Sequence, residues 1–368
     1  MSLQQLTLEN KPLEEIKPYR WITIDEQKRY SEFLKKLGIH IDKLDWCASE
    51  FEKYHCSNDH SHTSKTRYIP CGVRGICPRC SMSYASKRAE IMYQWIKLNL
   101  ADKLDFDLKI NQIVLTLPKE LHDIDQKLFS KIIKKFMSEF GIEAYCYSIQ
   151  TRHSKNPLSE KYIHAHLLSL NIKNENDRLV ENEYYFDVDK MRNLWYQVIE
   201  KYTKCVIEGT VNLHTEYASI LRDKNRVVHL FSYLYRYPIQ DLFQAQIRHG
   251  SLDYLEFLQF EKSDDPNHIL QIEAMRKKVM DLIDEPKPRI VWCGLLTSIK
   301  RKLLIHLVGM SASMWLSLPD IEKMIEQRSK ECRDCGCPLE TTPFDRGKYE
   351  GDNEPFLDTI KSSYRFQL

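Results

Sequence analysis

A chain of 368 residues that is 42% hydrophobic and 29% charged has the apolar content of a globular protein of two or three domains, and contains no repeat or low-complexity tract. No apolar run approaches the ~20 residues that span a bilayer, and the N-terminus is polar and acidic rather than a basic, apolar leader; a cytoplasmic protein without a membrane partner is expected. The formal net charge of +2 excludes a uniformly basic nucleic-acid coat, so any basic surface has to be local. Eleven cysteines without a leader point to reduced thiols, which bind metal more often than they pair when clustered.

Residues 1–22 carry little pattern and read as a loose arm. Thr23 and Glu26 have capping-box spacing, Tyr30, Phe33, Leu34 and Leu37 follow at helical intervals, and Gly38 closes this helix. Next comes Cys56, then Cys71, Cys77 and Cys80, the last two in a Cys-Pro-Arg-Cys turn. Such a knuckle with upstream cysteines has the ligand number and softness of a tetrahedral structural Zn²⁺ site. Cys56 is the preferred fourth ligand, with Cys47, His60 and His62 as alternatives. From Lys65 to Arg88 every charged side chain is basic (Lys65, Arg67, Arg74, Arg79, Lys87, Arg88), and Tyr68 and Tyr84 lie among them. This is either a phosphate-backbone contact or a solvated face. Ala85 to Leu98 reads as a helix with Ile91, Trp95 and Leu98 on one side.

Ile110 to Leu117 reads as a strand ended by Pro118. A helix follows from Asp123 to Phe140, with Ile124, Leu128, Ile132 and Phe136 as its stripe and Gly141 as its stop. Glu143 to Gln150 is a second strand, and a polar turn leads into Tyr162–Leu170, so the two strands form an antiparallel hairpin. Within the latter, His164 and His166 leave the same face while Ile163, Ala165 and Leu167 face a core. Two imidazoles side by side on a rigid strand make half of a divalent-metal site. Gln150 lies beside them in such a hairpin and is the candidate third ligand; ordinary half-buried histidines and a solvent-facing Gln are the bland alternatives.

Asp189 to Tyr202 is helical, anchored by Leu194, Trp195 and Val198, and Val206 to His214 reads as a further strand. A helix from Asn225 carries Val227, Val228, Phe231 and Leu234 and stops at Pro238. On its other side His229, Tyr233 and Tyr237 recur every four residues, as packing residues or as a reactive row. Residues 251–368 are mostly helical and charged, with an apolar patch at Ile290–Leu296 ahead of Lys300-Arg301-Lys302. Cys332, Cys335 and Cys337 form a second knuckle, which Cys293 or a histidine has to complete. The tail after Thr341 reads as poorly ordered. The expected division is 1–100, an arm and zinc-binding module; 101–250, the central domain; and 251–368, a helical C-terminal region.

His164-Ala-His166 on a strand, followed by Tyr233-Leu-Tyr-Arg-Tyr237 on a helix, resembles the HUH endonuclease superfamily, which includes rolling-circle replication initiators and two-tyrosine transposases of the Helitron and related kinds. Ile113-Val-Leu-Thr-Leu-Pro118-Lys-Glu-Leu121 resembles their first strand motif, and Cys77-Pro-Arg-Cys80 their N-terminal zinc module. Gln150 falls where several members carry an acidic ligand. The resemblance spans roughly residues 56–300. Two departures stand out: Gln150 replaces an acid, and no glycine pair follows the His-x-His strand, which favours a replication initiator over a transposase.

The resemblance implies an α+β fold, with a central antiparallel sheet of about five strands, helices packed on one face, and an open face carrying the site (a ferredoxin-like palm). It implies Mg²⁺ or Mn²⁺ on His164, His166 and Gln150, Zn²⁺ in the cysteine module, and Tyr233 or Tyr237 as nucleophile, with Tyr235 and Tyr217 next in line. The substrate it implies is single-stranded or hairpin DNA, contacted by Arg74, Arg79, Lys87, Arg88 and Arg236. No Gly-rich phosphate loop is present, so a host helicase and polymerase are expected partners. The reading from another class is a zinc-dependent DNA-binding protein without catalysis.

Overall fold

Period-two alternation in the middle of the chain builds the sheet on which the other elements pack. The computed structural model describes residues 22–47, 49–62, 64–152, 157–158, 161–182, 188–205, 213–248, 266–285, 289–341 and 346–348. In chain order the elements are α1 (Ile24–Lys36), β1 (Glu50–Cys56), β2 (Lys65–Tyr68), α2 (Pro78–Asn99), β3 (Lys109–Thr116), α3 (Gln126–Glu139) and β4 (Ala144–Gln150). They continue with β5 (His164–Leu170), β6 (Ile172–Glu175), β7 (Arg178–Glu181), α4 (Val188–Thr203), β8 (Leu213–Ser219), α5 (Lys224–Leu234) and α6 (Pro238–Phe243). The last are α7 (Pro266–Ile283), β9 (Val291–Gly294), α8 (Arg301–Leu307), α9 (Leu318–Arg328), β10 (Leu339–Glu340) and β11 (Arg346–Lys348).

Five of these strands form one sheet in the order β8-β3-β5-β4-β9, antiparallel throughout. The expected hairpin of β4 and β5 is present, with Gln150 opposite His164 and Ser148 opposite His166. On the other side of β5, Thr116 lies opposite His164 and Val114 opposite His166. Cross-strand partners share a face, so Gln150, Ser148, Thr116 and Val114 surround the histidine pair.

Helices cover both faces, which corrects the expectation of one open face. On one side Ile113, Leu115, Ala165, Leu167 and Tyr147 pack under Phe129, Ile132 and Phe136 of α3 and Trp195 and Val198 of α4. On the histidine side Ile110, Cys146, Leu168, Leu170 and Ala218 pack under Ile91, Trp95 and Ile96 of α2 and Val227, Leu230 and Phe231 of α5. The physical reason is that the histidine face is polar only toward the strand ends. Its other half is as apolar as the opposite face and needs the same cover.

β1 pairs with β2, but also with β10 and β11 from the far end of the chain. Arg346–Lys348 is therefore a strand, where the sequence suggests only a loose tail; residues 349–368 and the arm at 1–21 lie outside the described residues. The strand expected at 206–214 begins at Leu213, and 206–212 lie outside as well. Among the described residues no helix is long and apolar enough to cross a membrane.

Strand β9 arises from the Ile290–Leu296 patch and ends at Gly294, whose φ is +58°. A Cβ there would sit 1.7 Å from the Glu143 carbonyl oxygen, which accepts from the Leu295 amide at 2.7 Å. Only glycine allows this approach. Gly294→Ala is expected to lower the unfolding free energy by about 2–4 kcal/mol in urea titrations, and a loss below about 1 kcal/mol would show that this edge relaxes freely.

Candidate active site and metal clusters

β5 holds His164 and His166 edge to face, with ring centroids 5.0 Å apart. Helix α5 is drawn over them because Val227, Leu230, Phe231 and Leu234 are buried, which leaves His229 and Tyr233 toward the polar end of the sheet. Tyr233 stacks on His166 at 5.3 Å between centroids and 15° between planes. His229 meets the Tyr233 ring edge-on at 5.0 Å. On the far side Tyr162 contacts His164 at 5.3 Å and His122 contacts Tyr162 at 4.9 Å. The result is a file of six rings, His122, Tyr162, His164, His166, Tyr233 and His229, drawn from three separate parts of the chain.

Gln150 ties strand to helix: its Nε2 donates to the Tyr233 carbonyl oxygen at 3.0 Å. That leaves the amide oxygen as its remaining ligand atom, on the histidine face. His164 is buried and its Nδ1 lies 3.3 Å from the Tyr162 carbonyl oxygen. A proton on Nδ1 donates there and leaves the Nε2 lone pair for a cation. His166 Nδ1 lies 3.4 Å from the Gln112 side-chain amide, and the same tautomer results when the amide turns its oxygen to the ring. Burial, then the neighbouring His164 and Arg236, push the His166 imidazole well below its ordinary range. His229 is also lowered by burial, against the opposing pull of Glu216. Neutral imidazole is the metal-binding form, so the donor set of two imidazoles and an amide oxygen fits a small divalent cation.

Arg236 lies over the Tyr233 ring, with Cζ 5.7 Å from the centroid, and forms an ion pair with Asp241. Burial pushes the Asp241 carboxyl up to about 6 while Arg236 pulls it down. The guanidinium is thus held beside the phenol by a carboxylate that water hardly reaches.

The other tyrosines are elsewhere. Helix α5 ends at Leu234 rather than at Pro238, so Tyr237 does not stack above Tyr233 as its spacing suggests. Tyr237 is extended, with ψ 143°, as a residue before proline prefers, and its amide donates to Gln240 Oε1 at 2.9 Å. Its ring packs on Tyr84 at 6.1 Å, and a Cβ on Gly75 would meet it at 3.6 Å. Tyr235 is turned toward Tyr84 at 6.4 Å, its hydroxyl raised by burial. Tyr217 is 63% exposed and lies opposite Asn111, on the face away from the histidines.

The basic edge is also more engaged than its sequence suggests. Lys87 pairs with Glu326 at 2.6 Å and Glu322 at 3.3 Å, and Arg88 pairs with Glu322 at 3.0 Å. Arg74 lies over Tyr84 at 4.8 Å, and the buried Arg79 lies over Tyr68 at 5.4 Å. Two of the five expected phosphate contacts, Lys87 and Arg88, thus already have carboxylate partners from α9.

Two Cys/His clusters have the closeness of metal sites. The first is Cys47, Cys71, Cys77 and Cys80, all buried, with sulfur separations of 3.6 Å for 47–80 and 3.5 Å for both 71–80 and 77–47. Cys47 is therefore the fourth member, and Cys56 is not; the turn after Leu44 carries Cys47 under the knuckle. Cys77 caps α2 and receives the Cys80 amide on its sulfur. Cys56 instead joins His62, Cys332 and Cys335. The second knuckle is thus completed by Cys56 and His62, with neither Cys293, which lies buried beside Tyr145, nor Cys337 among the four. The separations are far above the ~2.05 Å of a disulfide, and all these cysteines are free thiols. Both clusters are compatible with a metal such as zinc.

The chain matches no known protein-family model, no curated protein and no solved structure.

Proposed function

We propose that the protein cuts and rejoins single-stranded DNA through a tyrosine-linked intermediate, as an HUH-type nuclease that starts rolling-circle replication of a plasmid or related mobile element. One observation carries the reading: Tyr233, far along the chain, stacks on one of the paired histidines of β5. The antiparallel sheet and the order of motifs along the chain support it further.

His164, His166 and Gln150 would hold Mg²⁺ or Mn²⁺, which when bound neutralises charge on the non-bridging oxygens of the scissile phosphate. Tyr233 attacks phosphorus in line. Its Oη–P bond forms as the P–O3′ bond breaks, giving a 5′-phosphotyrosyl link and a free 3′-OH. A phenol with an ordinary pKa of about 10 has to lose its proton on the way. His229, whose ring meets that of Tyr233 edge-on, would take it and return it to the departing 3′ oxygen. Arg236 stabilises negative charge as it grows on the phenolic oxygen, held to that task by Asp241. The link is itself a phosphodiester, so the strand can be rejoined by the reverse step. A zinc ion in the buried cysteine tetrad would fix the fold that carries the basic edge. A host helicase and polymerase would complete replication, and a transposase would use the same chemistry.

The rival from another class is a zinc-dependent DNA-binding protein, favoured by the fact that the two Cys/His clusters are the tetrads of metal-site closeness among the described residues. A labelled single-stranded oligonucleotide separates the two. Mn²⁺-dependent cleavage that keeps a 3′ label on the protein and releases a 5′ label is expected, and binding without cleavage across candidate origin sequences favours the rival.

A further inference from the structure

The second cluster is assembled from the two ends of the chain. Cys56 ends β1 and His62 follows in the loop to β2, while Cys332 and Cys335 come from the turn after α9. Zinc bonds of about 2.3 Å to sulfur and about 2.0–2.1 Å to nitrogen give tetrahedral edges of about 3.8 Å for S–S and about 3.6 Å for S–N. Cys56 and Cys335 sulfurs are 3.4 Å apart, and Cys332 sulfur is 3.6 Å from His62 Nδ1.

His62 is oriented from behind. Its Nε2 lies 3.6 Å from the Asp59 carboxylate while Nδ1 faces the sulfurs. A carboxylate behind the distal nitrogen is the arrangement that sets the tautomer of a metal-bound histidine. Backbone amides of Asn58 and Asp59 point at the Cys56 sulfur, those of Asp334 and Cys335 at the Cys332 sulfur, and that of Cys337 at the Cys335 sulfur.

The surroundings show what an ion there would hold. Ile321 is the one buried residue of α9, and β10 is two residues long, pairing with His55 and Cys56. Leu318, Met324 and Ile325 pack half-buried beside Ile321, and the remaining ties are polar: the Ser57 amide to the Pro338 carbonyl oxygen at 3.0 Å, Lys65 to the Ser329 carbonyl oxygen at 2.6 Å, and the partly exposed pairs of Lys87 and Arg88. Exposed ion pairs contribute little, and residues 329–340 add no side chain to the apolar core, so the turn after α9 needs a cross-link.

We propose that Cys56, His62, Cys332 and Cys335 form a second zinc site, separate from the buried tetrad, whose ion pins residues 318–340 to the β1–β2 hairpin. This does not depend on the DNA-cleavage reading. Elemental analysis of the full chain, purified without chelator or oxidant, is expected to give two zinc ions per chain. Cys332→Ser with Cys335→Ser is expected to hold one, and Cys337→Ser to keep two. Amide exchange in the double variant should quicken over 318–340 and stay unchanged over 109–116 and 164–170. Chelator titration of the unaltered protein gives the same reading without a substitution: Cys335 is exposed and the first tetrad is buried, so the first ion to leave should loosen 318–340. One zinc in the unaltered protein, two retained in the double variant, a loss in Cys337→Ser, a Cys56–Cys335 disulfide, or first release that loosens 71–80 instead would each overturn the assignment.

Discussion

Tyr233→Phe is expected to abolish covalent capture of single-stranded DNA and to lower cleavage by about 10³-fold or more. The substitution removes one oxygen and keeps the ring that stacks on His166 and meets His229. The bond from Gln150 reaches the backbone carbonyl of residue 233, so it survives too. Stability and DNA affinity should therefore stay close to those of the unaltered protein, and the lost adduct reports chemistry alone. Tyr237→Phe makes the contrast. That phenol is packed against Tyr84 and Gly75, so its variant should form adduct within a few-fold of normal. Gel retardation of protein by labelled oligonucleotide after denaturation reads both. Adduct persisting in Tyr233→Phe would move the nucleophile to Tyr237, or to Tyr235 or Tyr217 if it also survives in the double Phe variant, and its loss in Tyr237→Phe would restore the two-tyrosine row.

The second large effect is expected from His164→Ala combined with His166→Ala. Mn²⁺-dependent cleavage should fall by about 10³-fold or more, while binding to the same oligonucleotide, read by anisotropy, changes only a few-fold. His164 is buried and His166 half-buried, so truncation leaves a cavity and a stability cost of about 1–3 kcal/mol. Thermal unfolding of the variant separates that cost from the loss of chemistry. Undiminished cleavage in a folded double variant would remove the histidines from the mechanism.

Much of this arrangement is legible in the residues themselves, because it depends on short periods. Alternation around His164 and His166 gives their shared face, and the polar turn before Tyr162 gives the hairpin that sets Gln150 opposite His164. Contacts between distant segments are not legible in this way. The exchange of Cys47 for Cys56 depends on where two loops cross the Cys71–Cys80 knuckle, and no local spacing encodes that. Likewise Glu322 and Glu326 reach Lys87 and Arg88 only once α9 has folded back on α2. Tyr237 shows a local rule overlooked: every-fourth spacing continues through it, but the following proline disfavours helical backbone at that position. The short β9 is missed because four apolar residues carry no period of their own.

In the proposed reaction Tyr233 and the histidine pair of β5 act as one reactive site. Trypsin cuts after Arg226 and Arg236, so Tyr233 and Tyr235 fall in one peptide, Val227–Arg236, and Tyr237 in the next. Mass spectrometry of the oligonucleotide-linked peptide is the most direct measurement, with fragmentation resolving the two tyrosines of the first peptide. The nucleotide mass is predicted on Tyr233, in the presence of Mn²⁺ and in no sample of the double histidine variant. A nucleotide carried by the Tyr237 peptide, or by Tyr233 in protein lacking both histidines, would contradict it.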